Sequence, residues 1–415
     1  AYATYKKKIN KVHAFEGMIG FNQEQRTYKG VGLSRNNLIA NDIPYLNLAT
    51  GDRTTSDYMN QWAIRGAFFR LFYAYDDKYL IQVNGRYDGS SRFPKDDRFA
   101  FFPTFSLGWR LSQEKFWKPI SHIVNDFKIR GSYGALGNQV IYNTSGSDIY
   151  YPYISSYSTG EVGYLFNGEK QMGVYAPGLV SDQLTWETVK QWDLGFNFSM
   201  FDSKLTGEFD YYVRTTEDML TKSKTLPSIL GTSEPQMNAA DLRTKGWELA
   251  LTWKSTLQNG LAYSATLSLS DYQAEITKYD NPTKNLSDSY YEGRKLGEIW
   301  GFVTDGLFQS DEEASSWDQS KVVGYPQYAG DLKFADLDGD GKVTKGENTA
   351  NNPGDMKIIG NETPRYNFGI RGTAEYKGFD FTMFFQGTMK RDIIPAKTFY
   401  LSHYTSQWSV PQKMN

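Results

Sequence analysis

A chain of 415 residues with 45 basic and 47 acidic side chains carries a net charge of -2, which argues against a nucleic-acid surface as its main function. It has no cysteine, which excludes disulfides, thiolate chemistry and Cys-ligated metals, and its three histidines, His13, His122 and His403, are too scattered to suggest a catalytic or zinc cluster. A mean hydropathy of -0.57 and the lack of a long apolar run argue against a transmembrane helix, while 16% aromatic residues favour strands.

In chain order, a first hairpin is predicted over 5–8 and 12–21, with Asn10 in the connection. A polar loop follows at about 23–57. Strands are predicted at 66–75 and 79–88 around a short turn at Asp76-Asp77-Lys78. In the second, Tyr79, Ile81, Val83, Gly85 and Tyr87 share one face, and Leu80, Gln82, Asn84, Arg86 and Asp88 the other. The strand at 103–111 sets Phe105, Leu107, Trp109 and Leu111 against Ser106, Gly108, Arg110 and Ser112. The next begins at Phe127, where Phe127, Ile129, Gly131 and Tyr133 oppose Lys128, Arg130, Ser132 and Gly134. A basic residue at every second position is costly against lipid but acceptable in a wet lumen, so the pattern assigns the faces.

A loop at 137–184 separates these from strands near 186–200 and 204–216. A further loop at 217–241 precedes strands near 243–256 and 259–273. The last of these alternates most clearly: Leu261, Tyr263, Ala265, Leu267 and Leu269 against Ala262, Ser264, Thr266, Ser268 and Ser270. The longest loop, 274–363, leads to strands at 364–375 and 378–389, joined at Tyr376-Lys377-Gly378.

Connections near 77, 202, 257 and 377 are tight, and those near 40, 160, 230 and 320 are long. Short turns at one end and long loops at the other are the layout of an outer-membrane barrel, whose long loops are extracellular. The fold class expected is therefore all-β, a large antiparallel transmembrane β-barrel. The alternative is a surface-exposed or secreted β-rich adhesin or interaction protein without a transport role. The chain opens on strand-like residues and stops at Pro411–Asn415 after a Trp-containing loop, so it is expected to be an interior piece of a longer protein.

The run from Lys78 to Trp117, which contains DGSSRF (88–93), resembles the SusC/RagA family of TonB-linked outer-membrane receptors nearly position by position. The resemblance continues through FKIRGSYGALGNQ (127–139), LTWETVKQWDLGFNFSMF (184–201), FDYYVRTTEDML (209–220) and DLRTKGWELALTWKS (241–255). It extends to GFVTDGLFQS (301–310), DLKFADLDGDGKV (331–343) and NETPRYNFGIRGTAEYKGFDFTMFFQG (361–387), most of the chain. The resemblance implies part of the wall of a barrel of about 22 strands, in the bacterial outer membrane, with the plug absent from this sequence. It implies a nutrient importer of oligosaccharides or peptides, capped by a SusD-like surface lipoprotein and energised by the TonB complex through an N-terminal region not found here. No catalytic role and no required cofactor are implied.

The sharpest local pattern is D-L-D-G-D-G-K-V-T-K-G-E, starting at Asp336. Asp336, Asp338, Asp340, Gly341, Lys342, Thr344 and Glu347 fit an EF-hand-type calcium loop. Alternate carboxylates converge on a hard cation, Gly341 allows the sharp turn, and Lys342 would offer its backbone carbonyl. Asp and Gly also dominate plain surface turns, so a structural Ca²⁺ and a metal-free turn both stand. Tyr150, Tyr151, Tyr157 and Tyr164, with Tyr153 among them, could stack on sugars, but loop packing or contact with the lipoprotein is preferred. Arg86, Asp88, Arg92, Asp96, Asp97 and Arg98 mix signs evenly, as an ion-pair brace does. Arg110, Lys128, Arg130 and Glu208 read as lumen wall. Trp62, Trp109, Trp192, Trp247 and Trp253 suit membrane-interface anchors. Acidic pairs such as Glu187 with Asp193, or Asp210 with Glu217, need no catalytic explanation in a polar lumen.

Overall fold

A computed structural model describes residues 1–394 except 41, 143–145, 182–183, 223–225, 233 and 289. His403 and the segment Pro411–Asn415 lie outside the described residues. The strands, in chain order, are β1 (Tyr2–Ile9), β2 (His13–Arg35), β3 (Arg53–Tyr75), β4 (Tyr79–Ser90), β5 (Phe99–Arg110), β6 (Val124–Asn138), β7 (Ser158–Phe166), β8 (Glu169–Tyr175) and β9 (Glu187–Met200). They continue with β10 (Leu205–Lys222), β11 (Gln236–Thr256), β12 (Ala262–Tyr279), β13 (Glu298–Phe302), β14 (Thr304–Leu307), β15 (Leu332–Phe334), β16 (Met356–Asn361), β17 (Arg365–Tyr376) and β18 (Phe379–Lys390). One short helix, α1, spans Asp311–Ser316.

Among the described residues, twelve strands join in one sheet in the order β1-β2-β3-β4-β5-β6-β9-β10-β11-β12-β17-β18. Each of the twelve predicted strands has its counterpart in this order. Pairs β1–β2, β2–β3, β3–β4 and β4–β5, and β12–β17 and β17–β18, are antiparallel. Tight turns set the register. Asn10–Lys11 and Asp76–Asp77 take positive φ at both central positions, and Lys377–Gly378 does the same. That geometry matches the twist of the flanking strands, and Asn, Asp and Gly tolerate it best.

On β5 and in part of β9 the apolar set is the exposed one. On β5, Phe101, Phe105, Leu107 (48% exposed) and Trp109 are exposed, while Thr104, Ser106 and Arg110 are half-buried. On β9, Trp192 (64%) and Leu194 (61%) are exposed between half-buried Gln191 and Asp193. This reverses the arrangement of a sheet in water, where the apolar set is covered. The polar set binds across strands instead: Ser264 and Thr373 hydroxyls lie 2.6 Å apart, and Thr252 and Thr266 hydroxyls 3.0 Å. Arg365 of β17 forks onto Asp271 of β12, which is 6% exposed, through Nε and Nη2.

The connections depart from the sequence reading. The 23–57 loop is largely strand, since β2 and β3 pair without interruption from His13↔Tyr75 to Arg35↔Arg53. Residues 23–27 are polar on both faces and only Val31 and Leu33 alternate further on, so the period-two contrast is weak, yet the backbone ladder needs none. Within 137–184, β7 and β8 form a hairpin of their own. Within 217–241, β10 runs on to Lys222 and β11 starts at Gln236. Within 274–363, β12 continues to Tyr279, and β13 pairs with β16 and β14 with β15.

The chain divides into two compact units. The first comprises Ala1–Glu114, Ile129–Asp193 and Arg214–Asp241. Its apolar core is Phe93, Phe102, Ala135, Ile141, Leu184 and Trp186, with Phe93 and Leu184 fully buried. Phe93 is the ring of the DGSSRF segment, which explains an aromatic residue inside a polar loop. The second unit contains 115–128, 194–213 and the chain from Leu242. Phe308, Val343 and Ile299 are buried in it.

Candidate functional site

The acidic loop is positioned by Val343 and Asp355. Val343 is fully buried, and its amide donates to the carbonyl of Asp318 at 2.7 Å. Gly339 and Gly341 take φ of +77° and +82°, conformations that disfavour other residues. These positions turn the chain so that carboxylate oxygens of Asp336, Asp338 and Asp340 lie within 4.8 Å of one another. Asp336 is half-buried and the other two are exposed.

Each carboxylate also holds the loop backbone. Asp336 accepts the amides of Gly339 (2.6 Å) and Gly341 (2.8 Å), Asp338 that of Asp340 (3.2 Å), and Asp340 that of Lys342 (2.8 Å). The Gly341 amide, joined by those of Gly339, Asp340 and Asp338, holds the Asp336 carboxyl below its usual range. At Asp338 the Asp340 amide pulls downward. Burial and the carboxylates of Asp340, Asp355 and Asp336 outweigh it and raise this group. Three hard oxygen donors in one small volume could chelate a divalent cation.

The other sequence-selected residues fall around this trio differently. The backbone of Lys342 runs beside that of Asp318 in an isolated parallel β-bridge, and the Thr344 hydroxyl accepts the Gly346 amide at 3.0 Å. Glu347 is not one of the convergent three; its amide donates to Asn352 at 3.1 Å. The residue that the sequence reading missed is Asp355. It is fully buried and accepts the amides of Leu337 (2.5 Å) and Thr344 (2.7 Å). A single Asp after Pro353-Gly354 carries no periodic signal, so its role is visible only in the fold.

The loop tyrosines have different neighbours. The Arg92 guanidinium lies 5.0 Å from the Tyr150 ring centre, and Tyr151 meets Tyr153 edge-on at 6.5 Å. Tyr157 is exposed, and Tyr164 packs against Phe166 at 4.8 Å on β7. Arg92 is itself buried and pairs with Asp148 at 2.9 Å. Arg86 forks onto Asp88 at 2.9 and 3.0 Å. Trp186 donates to the Arg98 carbonyl at 3.1 Å. Arg86, Asp88, Arg92 and Arg98 therefore brace the loop. Trp109 stacks on Tyr79 at 6.3 Å, and Trp192 meets Tyr133 at 4.5 Å.

Residues 3–387 match the family model described as TonB dependent receptor-like, beta-barrel. The chain is 31% identical over 412 residues to TonB-dependent receptor P3 of Formosa agariphila, covering 95% of this chain and 38% of that protein. It is 25% identical over 340 residues to TonB-dependent receptor SusC of Bacteroides thetaiotaomicron, covering 80% of this chain and 31% of that one. Among solved structures it resembles the RagAB peptide transporter, with a TM-score of 0.73 and 22% identity over 93% of this chain and 40% of the other. The chain thus spans well under half the length of the relatives it matches.

Proposed function

Because the chain belongs to the TonB-dependent receptor-like β-barrel family of the outer membrane, in its SusC/RagA group, we propose that it forms part of the barrel wall of a nutrient importer. The observation that carries this reading is the exposed apolar set on β5 and β9, with Leu107, Trp192 and Leu194 against a polar opposite face. A bilayer covers such a face, and a wet lumen accommodates Arg110, Arg130 and Glu208 opposite it. Receptor membership also favours a non-catalytic role.

The full reading is a barrel of about 22 strands completed by sequence beyond this chain. A SusD-like lipoprotein would meet the long loops, and TonB would supply energy from the periplasm. The substrates are oligosaccharides or peptides. The oligosaccharide class comes from the sequence resemblance, and one protein of the same fold is described as a peptide transporter. Uptake of defined oligosaccharides and peptides by a deletion strain, with and without the complementing gene, tests the import reading. Unchanged growth on every substrate would leave an adhesin or interaction protein. Orientation is tested by cysteines at exposed Ser147 and Ser315, against Asp76 and Ser203 at tight turns. Labelling of the second pair alone in intact cells would reverse the assignment.

A further inference from the structure

Next to α1, the segment 317–328 folds back to leave a groove of about 680 Å³. That volume is within the range of small-ligand sites. Its walls include the rings of Trp317, Tyr325 and Tyr328 and the carboxylates of Asp311, Glu312 and Asp318. Tyr325 and Tyr328 are 64% and 59% exposed, so their rings are open to a ligand. From this arrangement we infer that the groove binds an ammonium or guanidinium group on an apolar stem, as presented by a lysine or arginine side chain of a peptide.

Three observations support this choice. The floor is rigid: Gln319 is 1% exposed and donates to Gln327 Oε1 (3.1 Å) and the Leu332 carbonyl (2.9 Å). Its own Oε1 accepts the Phe334 amide at 3.1 Å. A preformed floor lowers the ordering cost of binding. The lining carries Asp311, Glu312 and Asp318 and no Lys, Arg or His, although Lys321 and Lys342 lie near enough to act on the Asp318 carboxyl. The Glu312 amide and the Ser310 hydroxyl hold the Glu312 carboxyl below its usual range. Among the described residues the nearby Lys333 is already committed, bonding Glu313 at 3.0 Å and lying 4.6 Å from the Trp317 ring centre. That contact shows the indole in a cation–π pairing.

A neutral sugar could donate its hydroxyls to the same carboxylates, so maltotriose is the competing probe in the test. The side-chain amides, which would also serve a sugar, are used internally. Gln319 is engaged as above, and Gln327 Nε2 donates to the Tyr325 carbonyl at 3.1 Å. The groove is separate from the convergent aspartates, and its occupation does not depend on import.

Calorimetric titration of the intact receptor in detergent tests the inference. The probes are a Lys-Gly-Lys peptide, the same peptide with acetylated lysines, and maltotriose. Wild type is compared with Tyr325→Ala/Tyr328→Ala and with Glu312→Gln, whose exposed site leaves the fold intact. The lysine peptide is expected to bind about tenfold more weakly to the double variant and severalfold more weakly to Glu312→Gln. Acetylation or added salt is expected to weaken it in wild type. Absence of lysine-peptide binding, equal binding to all three proteins, or loss of maltotriose rather than lysine-peptide binding in the variants would overturn the inference.

Discussion

Thr344 and Asp355 clamp each other in both directions: the Thr344 amide donates to Asp355 Oδ2 at 2.7 Å, and the Asp355 amide donates to the Thr344 carbonyl at 3.0 Å. Asp355 also accepts the Leu337 amide, so one buried carboxylate ties both ends of the 336–344 loop. Asp355→Ala leaves these amides unsatisfied. The expected cost is about 2–4 kcal/mol, read as faster hydrogen exchange at Leu337 and Thr344. Asp355→Asn, which keeps one acceptor oxygen, should lose less. Unchanged exchange in both variants would show that the clamp is dispensable.

We propose that Asp336, Asp338 and Asp340 hold one Ca²⁺, with Glu347, the Lys342 carbonyl and the Thr344 hydroxyl as further candidate ligands. Asp338→Ala should weaken calcium binding about tenfold or more, measured by calorimetry on the intact receptor. Asp338 is raised above the usual carboxylate range and Asp336 lowered below it. On acidification Asp338 therefore protonates before Asp336, and calcium affinity should begin to fall as pH drops through the raised Asp338 value. The stabilisation from Asp336 is present above its unfolded pKa and is lost only as pH falls through its lower folded value. Identical isotherms for wild type and variant would leave the loop as a metal-free turn.

On β5, Leu107 is exposed and its neighbour Ser106 is half-buried on the opposite face. If lipid covers the Leu107 face, Leu107→Arg should destabilise the sheet, by less than the about 2–4 kcal/mol of a midplane site because Leu107 lies two residues from turn-proximal Trp109. Ser106→Arg should cost far less, because its face is polar. Unfolding of the reconstituted receptor in urea measures both. Equal costs would argue against the assignment of the faces.

Phe93 lies fully buried in a cluster with Phe102 and Trp186, with its ring centre 5.1 Å from that of Trp186. Phe93→Ala should destabilise the first unit by about 3–5 kcal/mol, and Phe93→Leu by less. The measurement is protease sensitivity of the 89–98 segment. A loop as resistant as wild type would show that the core does not depend on this ring.

The strand order was largely legible in the residues. Leu267 is exposed while Thr266 bonds across to Thr252, and β5 divides its faces in the same way, because side chains of a strand alternate with period two. The turn at Asp76–Asp77 was legible as well, because few residues accept positive φ at both central positions. The strand ends were not. From Gln23 to Arg35 only Val31 and Leu33 alternate with small or polar neighbours, yet β2 continues throughout, since its ladder with β3 uses backbone groups that every residue carries.

For the candidate site, the sequence by itself determined the aspartates at alternate positions and the glycines that let the chain turn, because both are local requirements. Only the tertiary structure decided that Asp355, far along the chain, would be the buried acceptor for both ends of that loop. It alone formed a groove by bringing Tyr325 and Tyr328 beside α1. Such contacts depend on where the backbone returns, and the pairing of β14 with β15 and of β13 with β16 fixes that return across long stretches of sequence.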